Sequence, residues 1–182
     1  MKDIAFHLSD LAENSVRAGA TQLCIELRTD GRQLVLRIAD NGCGMDAQTL
    51  RKALDPFYTT RTTRRVGLGL PFLVQNAEQC GGRVEVRSEP GQGTEVKARF
   101  ARDHIDCPPA GDLAATCMQL VISYPQVDIR FRLCCDDRTE EIASGEIAEA
   151  LGDVPPGHPQ AAAAIRNLFA ELLDAVFRNT IG

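Results

Sequence analysis

The chain has 182 residues, 44% of them hydrophobic, with no Trp and a formal net charge of −5. That length suits one large domain or two small ones, and so few aromatic side chains leave an aliphatic core. Its longest apolar runs fall far short of the ~20 residues that cross a bilayer. No charged start followed by an apolar stretch reads as a leader, so the expectation is a cytoplasmic protein without membrane contact.

The charge is uneven. Residues 1–101 hold 14 Lys and Arg against 12 Asp and Glu, whereas residues 102–182 hold 6 against 13. The acidic second half disfavours nucleic acid, whose phosphates need Lys and Arg contacts. The more basic first half suits a polyphosphate, and the contrast points to two units with different surfaces. Seven cysteines contain no CxxC pair, and their odd number argues against a disulfide framework, so reduced thiols are expected. Cys134 and Cys135 adjoin in an expected strand, where neighbouring side chains point to opposite faces.

In chain order, Ile4, Leu8, Leu11, Ala12 and Ser15 recur at helical spacing and predict an amphipathic helix over residues 3–18, ended by Gly19. Leu23, Ile25 and Leu27, then Leu34, Leu36 and Ile38, alternate with polar residues around Asp30-Gly31, a hairpin signal. Residues 46–54 read as a short helix and 55–66 as irregular chain rich in Thr and Arg. Residues 69–80 read as a long helix closed by Gly81-Gly82, with Pro71 near its start, where a missing N–H is tolerated. Val84 and Val86, then Val96, Ala98 and Phe100, predict two more one-sided strands, so helices should cover one sheet face and water the other.

Residues 102–111, with Pro108, Pro109 and Gly111, read as a linker. Beyond it, Met118–Ser123 reads as a strand, and Val127, Ile129, Phe131 and Leu133 as a second. Residues 139–151 read as a helix and 153–159 as a stiff connection. A last helix carries Ile165, Leu168, Phe169, Leu172, Leu173, Val176 and Phe177 as an apolar stripe. Such a ββαα unit has a small core, so residues 112–182 are expected to pack on the first domain or on a second subunit of a homodimer.

Four motifs stand in fixed order: DLAENSVRAGA (Asp10–Ala20), DNGCGM (Asp40–Met45), DPFYTTR (Asp55–Arg61) and GLGL (Gly67–Leu70), followed by GQGTEV (Gly91–Val96). On a helix turning 100° per residue, His7, Asp10, Asn14 and Arg17 fall within about 80° of each other. A carboxylate, an amide and a guanidinium therefore share one stripe. Over residues 1–101 this series resembles the GHKL family of gyrase B, heat-shock chaperones, histidine kinases and MutL.

The resemblance implies a Bergerat fold, a two-layer α/β sandwich of the α+β class, that binds ATP with Mg2+. It implies that Asn14 ligates the Mg2+ and that Arg17 stands near the phosphates. Asp40 would accept the adenine amino proton, beside Gly42, Gly44 and Met45. Phe57 would pack beneath a lid over residues 58–66, with Arg61 near the phosphates. Gly67, Leu68, Gly69 and Leu70 would face the phosphates at a helix start, and Thr94 would reach the adenine edge through water. Asp10 stands where the gyrase and MutL branches carry a water-activating Glu, one methylene longer. DPFYTTR and GLGL are kinase-like, whereas the Asn14 motif is ATPase-like. The short Asp10 and the kinase-like motifs favour phosphate transfer to His, Ser or Thr of a separate protein, with an ATP-hydrolysing switch or a nucleotide sensor acting on a protein partner as the alternatives.

Overall fold

The computed structural model describes residues 2–55 and 69–178. Helix α1 (Ile4–Arg17) begins at Asp3, whose carboxylate accepts the Phe6 N–H at 2.7 Å. It ends where Gly19, at φ +76°, turns the chain back into a strand. Strands β1 (Gln22–Thr29) and β2 (Gln33–Asp40) form the expected hairpin. Asp30 accepts the N–H groups of Arg32 and Gln33 at 2.9 and 2.8 Å, while Gly31 takes φ +83°. Helix α2 (Ala47–Leu54) is capped by Asp46, and the next described element is α3 (Gly69–Gln79). Strands β3 (Arg83–Glu89) and β4 (Gly93–Ala101) complete the portion that alternation predicted.

One correction concerns Met118–Ser123, which was expected to be a strand. It is the second half of helix α4 (Leu113–Ser123), started by Asp112, which accepts the Ala115 N–H at 2.9 Å. Leu113, Ala114, Cys117, Leu120 and Val121 are its buried residues, a helical spacing. A near-continuous apolar run does not declare its period, because both helices and buried strands tolerate one. Strand β5 (Asp128–Cys135) then pairs with β6 (Arg138–Ala143), whose residues had been read as the start of a helix. Helices α5 (Ser144–Leu151) and α6 (Pro159–Phe177) close the chain.

All six strands form one sheet in the order β3-β4-β2-β1-β5-β6. Neighbours are antiparallel except β1 and β5, which run parallel from Gln22↔Asp128 to Thr29↔Cys135. A parallel neighbour needs a crossover, and α4 supplies it. Helices α3, α1, α4 and α6 follow one another across one face, each touching the next. The two-layer sandwich of the expected class is therefore present.

The core lies between the layers. Ile25, Leu27, Leu36, Ile38, Phe100, Ile129 and Phe131 are buried on the sheet, against Ile4, Leu8, Leu73 and Phe169 from the helices. Phe131 and Phe169 meet edge to face at 4.8 Å. The apolar stripe of α6 is thus core. The opposite sheet face carries charges such as Arg37 and Glu95, paired at 3.0 Å.

Candidate nucleotide site

Register builds the centre of the site. Asp40 ends β2 directly opposite Thr94, at the start of β4. The Asp40 carboxylate is held at both oxygens. Oδ1 accepts the N–H groups of Gly42 at 2.9 Å and Thr94 at 3.2 Å, and Oδ2 accepts the Ser15 hydroxyl at 2.6 Å. Three donors from α1, β4 and the glycine turn therefore fix the direction of a carboxylate that lines a cavity of about 440 Å3. Oδ1 accepts two bonds and Oδ2 one, so Oδ2 retains acceptor capacity.

The glycines allow close approach. A Cβ on Gly44, which has φ +65°, would lie 1.9 Å from the Glu89 carbonyl oxygen. On Gly93, at φ +91°, it would lie 1.9 Å from the Asp40 carbonyl oxygen. These contacts pull the Asp40 turn and the β3–β4 turn together. Asn41, within the same motif, faces away from the cavity: its Oδ1 accepts the N–H groups of Thr21 and Gln22 at 2.9 Å and so starts β1.

At the helix side, Asp10 and Asn14 both line the cavity, one turn apart on α1. The Asn14 Nδ2 donates to Asp10 Oδ2 at 3.1 Å, which leaves the amide oxygen as its open acceptor. Gly69 opens α3 against the same carboxylate, so closely that a Cβ there would lie 1.6 Å from Asp10 Oδ2. Leu70 also lines the cavity, and the first N–H groups of a helix have no partner within it.

The cavity therefore brings together Asp10, Asn14, Asp40, Gly44, Met45, Gly69, Leu70 and Thr94 of the residues expected from sequence. Gly42 stands just behind it, supplying an N–H to Asp40. Arg17 does not line the cavity; it pairs with Glu13 one turn back on α1. Phe57, Arg61, Gly67, Leu68 and the lid over 58–66 lie outside the described residues.

Several participants were not singled out from sequence. Ser15 counted as part of the apolar stripe, yet its hydroxyl orients Asp40. Ser88 accepts the Met45 N–H at 2.8 Å and shares a hydrogen bond of 2.8 Å with Thr94 Oγ1. Both are short hydroxyl residues in otherwise ordinary elements, which no spacing marks. Thr49 and Lys52 of α2 and the exposed Cys43 add to the lining. His7, which shares the Asp10 stripe, is buried instead. Its Nε2 stands 2.8 Å from the Asn76 amide nitrogen of α3, and burial, helped by Lys2, lowers its pKa to about 4.

The donor set fits an adenine nucleotide. A fixed acceptor and the apolar side chains of Leu11, Ile38, Val96 and Met45 line a cavity within the usual size for small ligands. Asn14, with its amide oxygen open, and the start of α3 at Gly69 line it too, and a helix N-terminus suits phosphate. Among the described residues, no cluster of three or more His, Cys, Asp or Glu side chains forms a metal site. Among them too, no helix is long and apolar enough to cross a membrane.

Comparison with solved structures supports the fold. The fold matches a crystal structure of the N-terminal domain of a DNA repair protein, with TM-score 0.56 over 79% of this chain and 52% of that one, at 14% identity. Residues 2–104 match the model of the histidine kinase-, DNA gyrase B- and HSP90-like ATPases, and the chain belongs to that family.

Curated relatives are similar over the same region. A putative sensor protein of Shewanella frigidimarina is 35% identical over 98 residues, 52% of this chain and 15% of that protein. Sensor histidine kinase YxdK of Bacillus subtilis is 28% identical over 106 residues, 54% and 33% of the two chains. Sensor protein kinase FleS of Pseudomonas aeruginosa is 39% identical over 88 residues, 47% and 21% of the two. The matched segment is thus a third or less of each of these relatives.

Proposed function

We propose that this protein binds ATP with Mg2+ and passes the γ-phosphate to a His, Ser or Thr of a separate protein. The observation that carries nucleotide binding is the Asp40 carboxylate, held by Ser15, Gly42 and Thr94 and lining the cavity. An acceptor there takes the amino proton of adenine, whereas guanine presents a carbonyl at that edge. Asn14, oriented by Asp10, directs an amide oxygen to a hard cation, which prefers oxygen ligands. Mg2+ bound with ATP supplies neutralisation of phosphate charge. Titration calorimetry tests the adenine claim: ATP is expected to bind at least tenfold more tightly than GTP, and equal affinities would refute it.

Transfer to protein rather than water is supported by the position of Asp10. Its Oδ2 accepts from Asn14 and is covered closely by Gly69, so the carboxylate acts as a positioning group for the amide. The similarity to sensor kinases points the same way. Hydrolysis in an ATP-driven switch is the second reading, favoured by the fact that Asp10 does line the cavity. Phosphate release by wild type and Asp10→Asn separates them. Slow release, little changed in the variant, fits transfer. Brisk release that falls 10²–10⁴-fold, roughly the size of a lost general base, fits hydrolysis.

A further inference from the structure

The Ser88 hydroxyl is a three-way junction. Ser88 on β3 stands directly opposite Thr94 on β4, and Thr94 in turn stands opposite Asp40 on β2. Ser88 Oγ accepts the Met45 N–H at 2.8 Å, and it lies 3.1 Å from the Gly93 carbonyl oxygen and 2.8 Å from Thr94 Oγ1. A serine hydroxyl has one proton to give and two lone pairs to fill. The Met45 amide can only donate, and the Gly93 carbonyl can only accept. All three contacts are hydrogen bonds in one arrangement alone: Ser88 donates to Gly93 and accepts from both Met45 and Thr94. The single Thr94 hydroxyl proton is then committed to Ser88, and the Thr94 oxygen keeps its lone pairs.

Thr94 and Asp40 both line the cavity, and the Thr94 N–H donates to Asp40 Oδ1 at 3.2 Å, so the two residues are neighbours there. Ser88 does not line it. We infer that Ser88 is a specificity-determining positioning residue. It holds the Thr94 hydroxyl as an acceptor beside the Asp40 carboxylate, so that the pair takes a base edge carrying an amino group and refuses one carrying a carbonyl. This rests on the adenine reading of the site proposed above. A carboxylate discriminates weakly when a hydroxyl beside it is free to turn and donate to a carbonyl. With its proton held by Ser88, Thr94 offers no such donor. A carbonyl oxygen placed there meets two acceptors and goes unpaired, and leaving desolvated polar groups unpaired is how a hydrogen-bonding site rejects the wrong ligand.

Titration calorimetry of the full chain with ATP and with inosine triphosphate reads this edge. Inosine replaces the adenine amino group by a carbonyl, protonates the adjoining ring nitrogen and changes nothing else. The wild type is expected to prefer ATP. In Ser88→Ala the Thr94 proton is released, and the ratio of the two affinities is expected to fall roughly fivefold or more, mainly through tighter binding of inosine triphosphate. In a Thr94→Val background, Ser88→Ala is expected to leave the ratio where Thr94→Val alone puts it. Equal weakening of both nucleotides by Ser88→Ala would show a merely structural serine and overturn the proposal. So would a fall of the same size when Thr94 is already Val. If Ser88→Ala fails to fold, Thr94→Val carries the test, because it removes the held acceptor; a ratio as high as in the wild type then overturns the proposal. Equal wild-type affinities would refute the adenine reading and this proposal together, whereas a wild-type preference that Ser88→Ala leaves intact overturns the role of Ser88 alone.

Discussion

Single atoms decide the nucleotide site. Asp40→Asn keeps the shape of the side chain but turns an acceptor of three hydrogen bonds into a mixed donor and acceptor. Losing one charge-assisted bond costs about 1.5–3 kcal/mol, so calorimetry is expected to show ATP affinity more than tenfold weaker. Gly44→Ala would place a methyl group 1.9 Å from the Glu89 carbonyl oxygen at a positive φ. The backbone must then move, and denaturant unfolding is expected to show a loss of about 1–3 kcal/mol.

His7 makes stability depend on pH. Its folded pKa is lowered from 6.5 to about 4, because burial, and next the Lys2 ammonium, favour the neutral ring over the charged one. The stabilisation is therefore complete above about pH 6.5 and is lost as pH falls towards 4, where the unfolded chain binds the extra proton. Denaturation midpoints are expected to fall across that window, by the equivalent of about 2–3 kcal/mol. In His7→Gln this dependence is expected to flatten.

At the scale of elements, α4 tests how its start is secured. Asp112 accepts the Ala115 N–H at 2.9 Å and the Arg166 guanidinium of α6 at 2.9 Å. Both side chains of the ion pair are about half exposed, where such pairs contribute little. Asp112→Ala is therefore expected to cost ~1 kcal/mol through the lost cap, and Arg166→Ala less than half of that. Equal losses in urea melts would assign the stability to the pair instead. Phe169→Ala, beneath β5, is expected to cost about 3–5 kcal/mol, because the edge-to-face partner Phe131 is left beside a cavity.

For the whole molecule, the parallel pairing of β1 with β5 carries the sheet from the ATPase-type segment into the acidic C-terminal one. Leu23, Ile25 and Leu27 stand beside Ile129, Phe131 and Leu133 in one row of the core. Unfolding is expected to be a single transition, with amides of β1 and β5 exchanging at similar rates. Early exchange of β5 while β1 stays protected would mean that the two segments fold separately.

The sequence by itself determined the four-strand portion, helices α1, α2 and α3, and eight of the residues that line the cavity. Those signals are local: alternation with one polar face, Asp before a helix, Gly where φ is positive, and side chains a turn apart. Asp10 and Asn14 share a stripe on any helix, and Asp40 ends a strand wherever its sheet lies. Only the tertiary structure decided that Leu113–Ser123 is a helix. It lies between α1 and α6 and above the sheet, leaving Gln119 and Ser123 as its exposed residues. A helix buried on several sides has no polar stripe to reveal its period. The same holds for Ser15, Arg17 and His7. Each fits its helical position equally well as core, cavity or surface, and which it becomes depends on Asp40, Glu13 and Asn76. Position along a helix is a property of the chain, whereas the groups that meet it there are set by how the layers pack.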